Sequence, residues 1–507
     1  MTTSLRRFAL ALAALYAGWA VLRLALIPAL EFDEAEQILH HQHGWRLLYG
    51  PQPPLFEWLV AMISTVLPPL GAVLLVKAAA LWGLGVASAA LARQTGATPE
   101  QASAAGWWTL TVPLLLWDAP RTLTHSLLAS ACVAAVVALS APLLLQPQQP
   151  LSRGRWLGLG LLGAAAVLSK YNAALALAAW SLVLLAAHAR VARADPNHRM
   201  RWRQHRGALW GLVPAAILLL VHGATVASAW DAVSAPIADK MRDGESGALH
   251  GLQEVAVAWL TALSLPLLLL WAAEPRRATA VGPASAPIRR VGGRWAMLYA
   301  AGVAVPLLVL VASGLLTDVH DRWMLPLAVP LLMLLGRAAW PVTARGNARL
   351  ARWSGTLVVA ALALLLMRPH VLAWLDRPAG SQFPARAAAA WVDRWGPDDA
   401  IVVAQPIQLA GALAAYGQRP RPVFFWHGSA LLLQARTVCH LLVVTAEPHP
   451  TFAWRLGELG FEPAHAPVQT VLPRQPAVSE PVSLHAHDWR HPGPTCPSLR
   501  SVYDHLP

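Results

Sequence analysis

The chain has 507 residues, 56% of them hydrophobic and only 13% charged, with a net charge of +13. Soluble domains carry about 25% charged residues, so an ordinary soluble protein is excluded. The basic excess invites a nucleic-acid partner, but its distribution from loop to loop argues against one.

The first apolar run, residues 8–30, is interrupted only by Arg23 and is long enough to cross a bilayer core of about 30 Å. With Arg6 and Arg7 ahead of it the run resembles a signal peptide. No convincing small-residue cleavage site precedes Glu31, so it is expected to stay as a first helix. Directly after it, Glu31, Asp33, Glu34 and Glu36 place four carboxylates within six residues. Such a cluster at the mouth of a membrane helix is costly to desolvate and marks a functional site by default. Its bland counterpart is a solvated helix cap. On a helix, Asp33, Glu36, Gln37 and His40 share one face, a pattern suited to a helix lying along the membrane surface. Residues 49–56, rich in proline, then turn the chain back toward the bilayer. His40, His41 and His43 lack the matched spacing of a metal site.

Further apolar runs follow at 71–92, 104–117, 123–145, 157–169, 173–188, 208–227, 255–273, 295–316, 323–340 and 354–367, about eleven crossings in all. With the N-terminus inside, alternate loops hold Arg93, Arg153 and Arg155, six arginines in 190–206, five in 276–294, and Arg345, Arg349 and Arg352. Only Glu100, Asp195 and Glu274 oppose them. This bias fixes the orientation. It places the acidic cluster, Asp118, Lys170, the loops 229–252 and 317–322 and the C-terminal tail on the outer face. The mixed charges of 229–252 (Asp231, Asp239, Lys240, Arg242, Asp243 and Glu245) fit a solvated loop. Their functional version is a gate that orders over a bound donor.

Besides the acidic cluster, three polar groups lie at outer boundaries: 117–126 with Asp118, Arg121 and His125; 169–172 with Lys170, Tyr171 and Asn172; and 318–323 with Asp321 and Arg322. Asp118, Arg121 and His125 are spaced to share a helix face around Pro120. Any one group reads as an interfacial anchor. Four on one side, mixing acids with Lys, Arg and His, read as a site.

Beyond residue 370 the composition changes. Residues 384–395, 406–416 and 452–459 are expected as helices, 400–404 and 437–445 as buried strands, a small α/β domain. The stretch 473–507, rich in Pro and His, is expected to be irregular. Cys132 lies in an apolar run. Cys439 and Cys496 lie in the outward tail, where an oxidising compartment permits a disulfide that the sequence leaves open.

These motifs resemble the GT-C class of membrane glycosyltransferases, in the branch of protein O-mannosyltransferases and lipid A aminoarabinose transferases. The likeness rests on Asp33-Glu34 after the first helix, Gln52-Pro53-Pro54-Leu55, residues 118–126, Lys170-Tyr171-Asn172, and Asp321-Arg322-Trp323-Met324-Leu325-Pro326. Within the branch it looks nearest to bacterial members grouped with the rhizobial galacturonosyltransferases. The resemblance implies an all-α polytopic domain over 1–370 and a periplasmic domain over 371–507, in the bacterial inner membrane. It implies transfer of a sugar from a polyprenyl-phosphate donor to a hydroxyl of a lipid, glycan or protein, among membrane lipids and without nucleic acid.

Carried over residue by residue, Asp33 is the base and Glu34 its partner. Asp118 contacts the sugar or, in some relatives, a divalent metal, with no cofactor certain. Lys170 and Arg322 face the donor phosphate, and Arg121, His125, Tyr171, Asn172 and Asp321 line the substrate pocket. One departure stands out: the aminoarabinose branch has a lysine where this chain has Gln52, a neutral amide suited to a sugar hydroxyl. The competing readings are a transporter or lipid flippase, which usually shows repeated halves not found here, and a polysaccharide ligase or polymerase.

Overall fold

A computed structural model describes residues 3–145, 150–194, 206–242, 247–273, 286–340, 343–419, 421–425, 437–447 and 450–504. They fall into two compact units. Met1–Ala17, Pro51–Leu55 and Lys77–Leu362 form one; Gly18–Gly50, Phe56–Val76 and Ala363–Pro507 form the other.

The chain is a multi-pass membrane protein. Among the described residues eight helices are long and apolar enough to cross: Ser4–Leu26, Pro69–Gln94, His125–Leu145, Ala173–Arg193, Arg206–Ser228, Ala248–Ala273, Gly293–Ala312 and Ala344–Trp374. Leu212, Ile217 and Leu220 of one span are more than half exposed, as expected where hydrocarbon is the surrounding solvent. Three of the expected runs fall outside this set. Residues 104–117 divide between the helix Pro99–Thr109 and a π-helical turn, Leu114–Asp118. The helix Arg153–Ser169 has only 17 residues, about 25 Å at 1.5 Å per residue. Asp321–Ala339 carries Pro326, Pro330 and Arg337.

In the first unit, His125–Leu145 is the most buried span. It packs against Arg153–Ser169, Ala173–Arg193 and Asp321–Ala339. Gly160 and Gly211 bring two helices together backbone to backbone, since a Cβ on either would strike main-chain atoms of the other helix. Small residues at such crossings allow close helix packing in a membrane. The segment 229–252, expected as a loop, is largely helical: Trp230–Met241 is a helix and Ala248 begins the next. Asp231 in its first turn and Lys240 in its last complement the helix dipole. The Met241 carbonyl accepts from Thr317 and Asp318 N–H groups at 2.9 and 3.2 Å. Asp243 and Glu245 lie outside the described residues.

In the second unit the C-terminal residues build a six-stranded mixed sheet, ordered β2-β1-β3-β6-β4, with β5 also paired to β6. The strands are β1 Ile401–Gln405, β2 Val423–Phe425, β3 His440–Thr445, β4 Glu462–Pro463, β5 Val468–Leu472 and β6 Val482–Arg490. β1 runs parallel to β2 and β3, while β6 is antiparallel to β3, β4 and β5. The helices Ala385–Trp395, Ile407–Tyr416 and Pro450–Glu458 form as expected. The irregular tail is corrected: it holds β6, a central strand, and the helix Leu499–Asp504. In β6, buried Val482, Leu484 and Ala486 alternate with half-buried Ser483, His485 and His487. That is strand periodicity, masked in the sequence by its histidines. One face of the sheet packs Val403, Leu441, Val443 and Trp489 against Leu456, Leu499 and Val502. Cys439 and Cys496 form a disulfide with Cα atoms 5.0 Å apart.

Candidate active site

The acidic cluster forms the helix Phe32–His41, with Asp33 and Glu34 in its first turn and His40 and His41 in its last, the order that its dipole favours. Glu34 turns back to accept from the Glu31 N–H at 3.1 Å and is fully buried. Its Oε2 also accepts from Arg23 at 3.0 Å. The same guanidinium donates to the carbonyls of Ile27 and Ala29, just past the end of the first helix at Leu26. Glu31 faces Arg368 at 3.4 Å. Asp33 and Glu36 are half-buried. Glu31 and Glu34 are therefore each paired with an arginine, and Glu34 holds the helix in place.

His40, on the same face as Asp33 by spacing, sits with Nδ1 3.2 Å from Glu57 Oε1 and stacks on the Tyr49 ring. Burial holds the His41 imidazole below the ordinary histidine range, so it stays neutral at neutral pH. Glu57, on the helix Leu55–Ile63, is 1% exposed. It is the lone carboxylate in an apolar stretch, a signal that sequence reasoning passed over. Among the described residues no group of three or more His, Cys, Asp or Glu side chains is placed to hold one metal ion. The Asp118 carboxylate instead lies 3.6 Å from Arg121.

In the first unit His125, Lys170, Tyr171 and Asn172 each make a hydrogen bond to another part of the unit. A π turn precedes Asp118 because the Ala119 N–H bonds to Leu114 O, five residues back. Pro120 follows with no N–H to restore the ladder. The Asp118 carbonyl accepts from both Thr122 and Leu123, so helix geometry lapses before His125. Asp118 and Arg121 thus form a pair, while His125 begins a separate helix, contrary to the single face expected from their spacing. His125 Nδ1–H donates to the Ser169 carbonyl at 3.2 Å. The Lys170 ammonium donates to Ser126 Oγ at 2.6 Å and is 9% exposed.

Tyr171 and His222 share a hydrogen bond of 3.0 Å. Burial pushes the Tyr171 phenol up to about 12, so it remains a neutral hydroxyl. Asn172 donates to the Trp323 carbonyl at 2.6 Å, joining the Lys170-Tyr171-Asn172 segment to the start of Asp321–Ala339. There the Asp321 carboxylate accepts from the Arg322 N–H at 2.6 Å. The Arg322 side chain is half-buried, as is Gln52 ahead of buried Pro53 and Pro54.

Two residues of this unit were missed. Lys77 is completely buried and donates to the Arg121 carbonyl at 2.6 Å. His222 is 4% exposed. Each is the one strongly polar side chain deep in its apolar run, which was the available signal.

No family model matches the chain. It is 30% identical over 348 residues to the lipopolysaccharide core galacturonosyltransferase RgtA of Rhizobium johnstonii, covering 66% of this chain and 65% of the relative. To RgtB of the same organism it is 29% identical over 345 residues, covering 64% and 65%. The chain thus spans 65% of the length of these relatives, just under two thirds. Among solved structures it resembles ArnT from Cupriavidus metallidurans in the apo state, with TM-score 0.56 and 15% identity over 94% of this chain and 97% of ArnT. ArnT bound to undecaprenyl phosphate gives TM-score 0.53 at 15% identity, covering 96% and 98%. As its motifs indicated, the chain has the fold of ArnT and is a sequence relative of the rhizobial lipopolysaccharide core galacturonosyltransferases.

Proposed function

We propose that this protein is an inverting glycosyltransferase that moves a sugar from a polyprenyl-phosphate donor to a hydroxyl on the lipopolysaccharide core. The reading takes the N-terminus as cytoplasmic and the C-terminal residues 371–507 as periplasmic, following the arginine bias, and counts the three shorter apolar helices within the membrane domain 1–370. The observation that carries it is the series Ser126–Lys170, Tyr171–His222 and Asn172–Trp323, which gathers a buried cation and neutral hydrogen-bonding groups where four helices begin or end. Its support is the likeness to the rhizobial enzymes and to ArnT, which is known with undecaprenyl phosphate.

In this reading the Asp33 carboxylate takes the acceptor proton, and the acceptor oxygen attacks the anomeric carbon from the face opposite the phosphate. The bond from that carbon to the phosphate oxygen breaks, and the lipid phosphate leaves with the electron pair. Lys170 and Arg322 stabilise the charge developing on that phosphate, Arg322 through its planar fork. Asp118 and Arg121, with His125, Tyr171, Asn172, Asp321 and Gln52, hold the sugar. Glu34 fixes the helix that carries Asp33.

The test is transfer from a panel of radiolabelled polyprenyl-phosphate sugars, galacturonic acid first, to purified lipopolysaccharide core. Wild type is run beside Asp33→Asn in detergent. Loss of a positioned base lowers transfer by about 10²- to 10⁴-fold while the variant unfolds at the wild-type temperature. Near wild-type transfer by Asp33→Asn would remove Asp33 from the role. No transfer from any donor by folded wild type would overturn the function.

A further inference from the structure

The second unit shows how the acidic helix is held. Glycine at 411 lets the helix Ile407–Tyr416 lie directly on Phe32–His41. A Cβ on Gly411 would come 2.5 Å from Ala35 Cβ, 2.8 Å from its Cα and 3.0 Å from Leu30 Cδ1, so no larger residue fits. Nine residues along the chain from Asp33, the Gln42 amide bonds to both main-chain groups of one strand residue. It donates to the Val423 carbonyl at 3.1 Å and accepts from the Val423 N–H at 3.0 Å. Val423 lies in β2, an edge strand of the sheet among the described residues, so the Gln42 side chain takes the place of a neighbouring strand. The Tyr416 hydroxyl donates to the Pro28 carbonyl at 2.8 Å, fixing the approach to the helix. These contacts grip the acidic helix at its start, middle and end.

We propose that the C-terminal sheet domain is the positioning element for the helix that carries Asp33, with Gly411 and Gln42 as positioning residues for sugar transfer. The inference rests on the glycosyltransferase reading for its consequence and on the contacts alone for its geometry. A backbone-to-backbone contact and a doubly bonded amide fix a helix in both tilt and register, whereas apolar packing alone tolerates sliding. Displacing a reacting group by about 1 Å costs on the order of 10²-fold in rate. The domain therefore sets the rate of transfer as well as the stability of the fold.

The experiment uses the full chain in detergent with Gln42→Ala, Gly411→Val and a control, Val502→Ala. The control loosens the domain core on the sheet face that packs Val502 and leaves the helix contacts alone. Two quantities are read per folded molecule: kcat and KM for the donor, and the mobility of a nitroxide on Phe32→Cys. Phe32 is 49% exposed, and the one free cysteine, Cys132, is buried. For Gln42→Ala and Gly411→Val, kcat should fall by about 10- to 100-fold with donor KM little changed, and the label should become more mobile. Val502→Ala should keep wild-type kcat. If Gly411→Val fails to fold, Gln42→Ala decides. Unchanged kcat and label mobility in Gln42→Ala, or an equal loss of kcat in Val502→Ala, would overturn the inference. Should wild type transfer no sugar, the glycosyltransferase reading fails and the label alone judges the positioning.

Discussion

The Glu34 carboxylate lies 3.0 Å from the Arg23 guanidinium, with both side chains shielded from solvent. Removing one partner of such a pair strands the other charge in a low dielectric, at a cost of about 3–5 kcal/mol. Glu34→Gln is therefore expected to lower the thermal unfolding midpoint, followed by tryptophan fluorescence in detergent. Because Glu34 also fixes the helix that carries Asp33, the kcat of protein that remains folded should fall together with its stability. The double change Arg23→Met with Glu34→Leu should recover much of the lost stability, because a well-packed apolar pair replaces the ions. A fall in kcat at unchanged stability would move Glu34 from support into chemistry.

The Cys439–Cys496 disulfide closes a loop of 57 residues in the C-terminal domain. Closing a loop of that length removes chain entropy from the unfolded state worth about 4 kcal/mol. Cys439→Ser, or wild type with reductant, should unfold at a clearly lower temperature, and reductant should have no further effect on the variant. Equal midpoints with and without reductant would mean that the bond contributes nothing to stability.

The membrane class, the acidic helix, three of the C-terminal helices and strands β1 and β3 were legible, because each follows from a local pattern of apolar spacing. The candidate residues were read from the sequence, but their partners were not. Nothing in the spacing of Glu34 shows that Arg23, eleven positions back on another helix, neutralises it. Nothing near Gln42 points to Val423, 381 positions away. Asp118 and His125 misled for a different reason. Their spacing suits one helix, but the π turn and Pro120 break the ladder between them. β6 was hidden because His485, His487 and Asp488 lowered the hydrophobicity of a strand whose alternation was intact.

The C-terminal domain also carries a chain of ionisable contacts: Asp399 to His440 Nδ1 at 2.8 Å, His440 Nε2 to Asp488 at 2.5 Å, and Asp488 to His465 at 2.7 Å. The hydrogen bond from His440 holds the Asp399 carboxyl below the usual carboxylate range, with burial opposing and the charges of His440 and Arg490 adding to it. A carboxylate depressed in the fold stabilises it fully above its unfolded value of about 3.9. That contribution is lost as pH falls through the folded value. Asp399→Asn should unfold at a lower temperature than wild type at pH 7, and the gap should close as pH drops below about 4. A gap that stays constant down to pH 3 would assign the loss to packing and not to charge. Asp399 is largely exposed, so the effect at pH 7 is expected to be small.

Lys77 presents the sharpest case of a charge placed without solvent. It is completely buried on a membrane span, and its ammonium reaches the Arg121 carbonyl at 2.6 Å, in the turn that presents Asp118 and Arg121. A hydrogen bond from a charged donor contributes about 1.5–3 kcal/mol, while the buried charge itself is costly to keep. Lys77→Met removes both and preserves most of the volume, so the unfolding temperature should change little. The turn, however, loses its tether to the neighbouring helix. If Asp118 and Arg121 hold the sugar, KM for the lipid-linked donor should rise by about tenfold, corresponding to about 1.4 kcal/mol, with a smaller change in kcat. Lys77→Arg keeps a cationic donor and should recover part of the affinity. Steady-state kinetics on the three proteins with one labelled donor decide the matter: a Lys77→Met enzyme with wild-type KM and kcat would reduce this lysine to a packing element.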